Sequence, residues 1–311
     1  MLEVLTLEAL RAAADRIRPY VLRTPVLAQP FAHGTIYAKA ESLQPIGAFK
    51  IRGAFSLMTT LPPGTAGVIA HSSGNHAQAV ARAGKVLGLP AVVVMPRDAP
   101  PLKRERTEAD GAEVIEVGND SQERIDRAKA LEIERNLVPV PPYDHPLIAA
   151  GQGTAAVELI EDAPPLDRFY CPVSGGGLLA GCATAFKALS PQTQVIGVEP
   201  ADANDTFLSF QRGERVTIPP PTTMADGLRV RTPGALTWPV VKARVDRIVT
   251  VTEDDLLAAM AYGLQHLRVV LEPSGAAALA ACLTEGQGRC GVLLSGGNVE
   301  AKRLAEALDR A

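Results

Sequence analysis

The sequence predicts an α/β protein with two open twisted sheets flanked by helices. Three observations carry that reading. Short apolar runs of four to seven residues recur from residue 67 onward, alternating with helical stretches of about 10–15 residues. These runs lack the polar alternation of a half-exposed sheet, which places them in parallel sheets covered on both faces. A proline-rich stretch at 138–146 interrupts the alternation and divides it into two blocks.

The elements follow in order. Thr6 can cap a first helix, with Leu7, Leu10, Ala14 and Ile17 on one face and Pro19 ending it. Residues 67–70 read as a buried strand and 75–87 as an alanine-rich helix. Residues 91–95 form the next strand, 101–109 a helix, 112–117 a third strand and 121–135 its helix. The stretch 138–146 holds four prolines in nine residues and reads as a connection rather than an element. The alternation resumes with a helix from Thr154, a strand at 168–173, a glycine-rich turn, a helix from Leu178 and a strand at 194–200. A second proline-rich loop lies at 219–221. Helices at 253–270 and 274–284, a strand at 291–295 and a last helix from Val299 complete the chain. Two units result: a small α/β unit over 67–145 and a larger one formed by 1–66 and 146–311.

The 311 residues carry 31 Lys+Arg against 34 Asp+Glu, a formal net charge of -3. That balance excludes a broadly basic nucleic-acid surface. At 47% apolar the chain can bury a substantial core. No apolar run approaches the roughly 18–20 residues of a membrane span, and the acidic, amphipathic N-terminus is unlike a signal peptide. Cys171, Cys182, Cys282 and Cys290 form no CxxC pair, so zinc and thioredoxin readings fall away. They read as buried or free thiols of a cytoplasmic protein.

Three segments bear chemistry, and each has a plainer alternative. Ser174-Gly175-Gly176-Gly177-Leu178 follows a strand and precedes an apolar helix. Consecutive glycines let backbone N–H groups converge on an anion at a helix N-terminus, or serve as a tight turn. It is neither a P-loop nor GxGxxG. In Ile46-Gly47-Ala48-Phe49-Lys50-Ile51-Arg52-Gly53-Ala54, a lysine stands among apolar residues. Desolvation lowers a lysine's pKa and makes it a nucleophile or Schiff-base former, although a surface lysine with a packed stem would look the same. His71-Ser72-Ser73-Gly74-Asn75-His76 closes a strand and opens a helix, where ligands of open sheets bind and where ordinary helix caps also sit. Together, a phosphate cradle, a Schiff-base lysine and a polar turn suited to a carboxylate are the parts of a pyridoxal phosphate enzyme acting on an amino acid.

The segments ESLQPIGAFKIRGA, HSSGNHAQAVA, SGGGLLAG, GVEPADAND and LSGGNVE resemble the fold-type II pyridoxal phosphate enzymes of the threonine/serine dehydratase and serine racemase group, whose fold is tryptophan synthase β-like. The motifs lie in family order and cover nearly the whole chain. FKIRGA differs from the SVKDR-like lysine motif of the cysteine and cystathionine synthases. The resemblance implies that Lys50 forms the Schiff base with the cofactor and that Phe49 packs near its ring. It implies that Asn75 partners the 3-hydroxyl, that Gly175, Gly176, Gly177 and Leu178 donate to the phosphate, that Gly227 lines the ring and that Ser295 bonds the pyridine nitrogen. Ser72, Asn75 and His76 match the turn that takes the substrate carboxylate. Glu199, the Ala203 carbonyl and Asp205 match a divalent-cation site for Mg²⁺ or Ca²⁺, though their spacing alone also suits a solvated acidic loop. Ile46-Gly47-Ala48 replaces the Thr-Gly-Ser of many relatives and removes two hydroxyls.

The function implied is an L-threonine/L-serine dehydratase, an ammonia-lyase giving a 2-oxo acid and ammonia by β-elimination. The pathways implied are isoleucine biosynthesis or threonine catabolism. Serine racemase with side dehydratase activity and 3-hydroxyaspartate dehydratase are the alternatives. Ser73 bears on the choice: threonine dehydratases commonly carry alanine there, whereas serine racemases carry serine as the base opposite the lysine. An amino-acid-binding protein without turnover is a further alternative, disfavoured by the intact Lys50. The expected partner is a small amino-acid substrate, with no nucleic acid or membrane, in a homodimer or homotetramer. No C-terminal regulatory domain follows LSGGNVE, so feedback inhibition by isoleucine through one is not expected.

Overall fold

The structure is a computed structural model that describes residues 2–72, 74–99, 101–118 and 121–310. Among these residues ten strands occur in chain order. They are β1 (Val26–Phe31), β2 (Gly34–Lys39), β3 (Val68–His71), β4 (Ala91–Pro96), β5 (Glu113–Val117), β6 (Val138–Pro139), β7 (Arg168–Pro172), β8 (Gln194–Pro200), β9 (Arg247–Val251) and β10 (Gly288–Leu293). They form a six-stranded sheet in the order β1-β2-β10-β7-β8-β9 and a four-stranded sheet in the order β5-β4-β3-β6. Every pairing is parallel except the β1–β2 hairpin. The two open, helix-flanked sheets expected from the alternation are therefore present.

The helices that matter for the site are α1 (Leu7–Ile17), α2 (Lys50–Met58), α3 (Asn75–Leu87), α4 (Pro101–Ala109), α5 (Ser121–Glu134), α6 (Pro146–Asp162) and α7 (Gly177–Leu189). The chain continues through α8 (Asp205–Arg212), α9 (Trp238–Arg244), α10 (Glu253–Tyr262), α11 (Pro273–Glu285) and α12 (Ala301–Asp309). Thr6 caps α1 as expected, its hydroxyl accepting the Ala9 N–H at 3.2 Å. The helices α6 and α7 pack backbone to backbone. A Cβ on Gly153 would come within 2.6 Å of Gly181, and one on Gly181 within 2.2 Å of the Ala149 carbonyl oxygen. Glycine at both positions allows the close approach that presses α7 onto the large sheet, where Phe186 stacks on Phe169 at 4.3 Å. The four cysteines are buried and free. No helix among the described residues is long and apolar enough to cross a membrane.

Three sequence expectations need correction. The stretch 138–146 is not only a connection, because Val138 and Pro139 pair with β3. The proline is tolerated there because β6 is an edge strand. The helix expected from Thr154 begins at Pro146. Proline suits the first helical position, where its missing N–H costs nothing, and His145 Nδ1 accepts the Leu147 N–H at 3.1 Å. The helix expected over 253–270 ends as α10 at Tyr262, continues as a π turn (Gly263–Leu267), and stops at Arg268 with φ 63°. The β1–β2 hairpin and β9 had no expectation at all. Pro30 and alternating exposure suit β1 to its place at the sheet edge.

Candidate active site

Lys50 opens α2 at the end of a loop sewn to the C-terminal LSGGN segment. The Phe49 N–H donates to Ser295 O at 3.0 Å, and the Gly297 N–H donates to Gly47 O at 2.9 Å. Ala48 and Gly296 form an antiparallel bridge between them. Gly47 has φ 71°, which lets the loop turn back on itself. Lys50 Nζ donates to the Pro142 carbonyl at 2.8 Å and lies 5.1 Å from the centre of the Phe49 ring. Burial of its amine end pulls its pKa down to about 8. An amine so poised is part neutral near physiological pH and can act as a base or nucleophile.

Two residues on, Arg52 is fully buried. Its Nε and Nη2 donate to Glu41 at 2.7 and 2.8 Å, and Nη1 and Nη2 donate to Glu158 at 2.8 and 2.7 Å. Lys39 completes the cluster at 2.6 Å from Glu158. This four-charge group joins β2, α2 and α6 beneath the lysine.

The Ser174–Leu178 loop lies between β7 and α7. Ser174 takes a left-handed φ of 55° and Gly176 one of 89°, conformations that collect at ligand-holding turns. No side chain caps α7. The Gly176 N–H is directed at Val173 O at 3.2 Å, leaving Gly175, Gly177 and Leu178 as the better placed donors of the four expected. A Cβ on Gly175 would lie 2.3 Å from the Tyr143 ring, and one on Gly177 2.8 Å from Gln152 Oε1.

The polar turn sits at the head of α3. Ser72 Oγ accepts the Gly74 N–H at 3.2 Å. Ser73 lies outside the described residues. Asn75 is held at both ends of its amide: Nδ2 donates to Glu272 Oε1 at 2.5 Å and Oδ1 accepts from Asn298 Nδ2 at 2.9 Å. His76 points inward, with Nε2 2.7 Å from the Val140 carbonyl. Burial, aided by the Lys50 charge, pushes its pKa down to about 3. A neutral ring that donates to a carbonyl leaves only the His76 backbone free to meet a carboxylate. Gly227 joins the same neighbourhood, its N–H donating to Ser274 Oγ at 2.9 Å. Ser295, itself buried, donates to Ser274 O at 3.3 Å.

Residues that the motifs did not single out complete the site. Glu272 is buried between Asn75 and Lys103, and its burial raises its pKa to about 7. Lys103 on α4 pairs with Asp226 and lies 3.9 Å from Glu272. Arg106 on α4 reaches Asn298 at 2.5 Å. These contacts bring the small sheet's helix α4 against the loops of the large sheet. The structure thus gathers Phe49, Lys50, Asn75, Gly227 and Ser295 around one region.

A family model described as pyridoxal-phosphate dependent enzyme matches residues 17–296. The chain belongs to this family. Its members use pyridoxal phosphate. The chain is 41% identical over 303 residues to the L-threo-3-hydroxyaspartate ammonia-lyase of Saccharomyces cerevisiae, covering 94% of this chain and 93% of that one. It is 38% identical over 315 residues to the serine racemase of Schizosaccharomyces pombe, covering 98% of both. Among solved structures, a threonine deaminase from T.th. superposes with a TM-score of 0.91 at 44% identity, covering 95% of this chain and 99% of that one. The chain is accordingly an enzyme of the pyridoxal phosphate ammonia-lyase or racemase type, with a fold-type II architecture.

The residues present fit this family's cofactor. A glycine loop with no room for a side chain at Gly175 heads an uncapped helix, and a lysine with a lowered pKa stands nearby. Gly175→Ala is expected to weaken pyridoxal phosphate binding about tenfold or more, because its methyl would meet the Tyr143 ring and such overpacking costs ~1–3 kcal/mol. Titrating cofactor-free protein by visible absorbance checks it; unchanged affinity would remove the loop from the binding site.

Glu199 and Asp205 are a separate pair of buried acids. Glu199 accepts the N–H groups of Thr206 and Phe207 at 3.3 and 2.8 Å, while neither carboxylate oxygen of Asp205 has a partner among the described residues. Burial raises Asp205 to about 7, and burial with the Asp205 charge raises Glu199 well above the usual range. Among the described residues no group of three or more His, Cys, Asp and Glu side chains could hold a metal. What remains is this pair with the buried backbone of Ala203 between them. An unpartnered buried carboxylate beside a second one fits a hard cation's donor set.

Proposed function

We propose that the protein is a dehydratase of small hydroxy-amino acids, acting on L-threonine and L-serine to give a 2-oxo acid and ammonia. The observation that carries this reading is Lys50, an enclosed amine near neutrality held within reach of a site that His76 cannot serve as acid or base. Pyridoxal phosphate, when bound, supplies the electron sink that lets an amino acid's Cα–H bond break. Lys50 Nζ takes that proton. The departing hydroxyl takes up a proton, which the Lys50 ammonium so formed can supply, and leaves as water as the Cβ–O bond breaks; the enamine product then tautomerises and hydrolyses to the 2-oxo acid and ammonia. The backbone N–H groups at the head of α3 orient the substrate carboxylate, and Ser72 and Asn75 keep that turn in shape. Elimination needs a base on one face only. Ser295, by turning its hydroxyl from the Ser274 carbonyl, would be a neutral donor for the pyridine nitrogen, and a neutral partner would make a weaker sink than a charged one, which suits prompt elimination.

Racemisation is the second reading, favoured by the serine at position 73. A base on the opposite face is needed there, and Ser73 is the matching residue. The relatives named for threonine, serine and 3-hydroxyaspartate stand at similar identity, so 3-hydroxyaspartate belongs in the same assay. Measuring 2-oxo acid release and enantiomer ratio side by side on the purified enzyme tests the proposal; racemisation outrunning elimination would overturn it. Ser73→Ala is expected to retain most L-threonine or L-serine dehydration and to lose any racemisation. The readout is the kcat/KM of each reaction separately. Loss of dehydration with racemisation intact would reverse the assignment of faces.

We also propose that Glu199, the Ala203 carbonyl and Asp205 hold Mg²⁺ or Ca²⁺. Chelation is expected to lower the melting temperature and either ion to restore it, because a ligand of the native state stabilises by mass action. Asp205→Ala should abolish that response. A verified metal-free sample that melts unchanged would mark the acids as a protonated pair.

A further inference from the structure

Gln152 lies on α6, is 1% exposed, and stands between two elements of the site. Its Nε2 donates to the Pro142 carbonyl at 3.3 Å, and the same oxygen receives Lys50 Nζ at 2.8 Å. Its Oε1 is buried without a partner beside Gly177 at the head of α7. The amide cannot be turned over to satisfy Oε1, because that would set it against the Pro142 oxygen, acceptor to acceptor. A glutamine present only to fill space would have no reason to leave a buried acceptor open.

We propose that Gln152 is a positioning residue for Lys50, competing with the amine for the Pro142 carbonyl. The proposal rests on the reading of Lys50 as the base. A carbonyl oxygen can accept two hydrogen bonds, and each donor weakens the pull on the other. Sharing therefore loosens the hold on the Lys50 ammonium and favours the neutral amine. It also lets Lys50 leave: when the amine swings away, Gln152 keeps the buried Pro142 oxygen satisfied, so its departure strands no acceptor. The other charged groups near the amine leave this effect visible. His76 on α3 is neutral, Arg52 is balanced by Glu41 and Glu158, and burial holds the Tyr143 phenol neutral.

The test is the pH dependence of Lys50 acylation by acetic anhydride in full-length protein freed of cofactor, read by mass spectrometry of the Lys50 peptide. Gln152→Leu removes the competing donor, and the ammonium should then be better held. The labelling midpoint should move up, with labelling at pH 7 slowed by roughly threefold or more. Gln152→Glu removes the donor and adds a charge, so it should move the midpoint further in the same direction. Gln152→Met, which also lacks the donor but adds no charge, should move the midpoint as Gln152→Leu does and decides the matter if Gln152→Leu does not fold. In the loaded enzyme the acid limb of kcat, which reports groups in the substrate complex, should shift upward as well. A lowered melting temperature with an unmoved labelling midpoint would mean a purely structural glutamine and overturn the proposal. Labelling requires no turnover, so it stays decisive even if the enzyme proves to be a racemase rather than a dehydratase.

Discussion

Lys50→Ala is expected to lower 2-oxo acid release from L-threonine and L-serine by more than about 10³-fold, since a positioned base alone contributes about 10²–10⁴-fold and covalent tethering of the cofactor is lost with it. The fold should survive. Lys50 is only half-buried as a residue, and its side chain hydrogen-bonds to the Pro142 carbonyl rather than to a charged partner. Its amine titrates near 8 in the folded chain, below the ordinary value of 10.5. Between those two values the unfolded chain binds more protons than the folded one, so this group makes stability rise with pH across that window. Below about 8 the full cost of charging the amine in a buried place is present. The alanine variant, freed of cofactor, should therefore melt at or above the parent at pH 7 and lose the rise in stability toward pH 10. Visible absorbance of the loaded protein, 2-oxo acid release and melting curves at several pH values check each part. Turnover close to the parent's, without added amine, would show that another residue is the base.

Arg52→Ala should have the largest effect on stability. Removing one partner of a buried charge pair typically costs ~3–5 kcal/mol, because the other charge is left buried and unpaired. Here Glu41, fully buried, and Glu158 would both lose their bidentate partner, leaving Lys39 against Glu158 and the uncharged donors Thr24 and Gln44 against Glu41. Arg52→Lys keeps the charge but cannot bridge two carboxylates in the same plane, so it should recover part of the loss. Denaturant unfolding of the three proteins measures the differences. If Arg52→Ala unfolds with the parent's midpoint, the four charges are not a structural unit.

The alternation of apolar runs and helices shows that there are two sheets and locates β3, β4, β5, β7, β8 and β10, because a parallel strand buried on both faces has a composition that exposed segments seldom share. The prolines misled for a physical reason. A proline forbids a helix interior and a central strand, yet suits the first turn of α6 and the edge strand β6, and only the tertiary position distinguishes these. The hairpin β1–β2 escaped notice because its half-exposed edge gives a weak pattern. Within the site, glycines and a lysine among apolar residues are visible locally. Glu272, in Leu271-Glu272-Pro273-Ser274, looks like an ordinary helix start, and its meaning comes from Asn75 and Lys103 far away in sequence. Gln152 sits between two glycines in Gly151-Gln152-Gly153, and that spacing was the one local hint that its side chain lies at a close backbone approach. Arg52 stood inside a motif already read, but its partners Glu41 and Glu158 could be found only in space.

The order of strands in the large sheet has a consequence for how the chain is made. β10, the last strand in chain order among the described residues, sits between β2 and β7 and pairs with both. Until it arrives the two sides of that sheet have no common edge, and the lysine loop lacks the Ser295–Gly297 backbone that fixes it. The four-stranded sheet, by contrast, closes within residues 68–139 and can form while synthesis continues. Such long-range pairings are slow to form and leave apolar edges open meanwhile. A nascent chain stalled before Gly288 would hold a folded small sheet, an unfinished large one and a reactive amine with no site around it. The lysine loop therefore gains its final shape only after β10 has paired, and exposure of apolar edges should be greatest in the interval between β9 and β10.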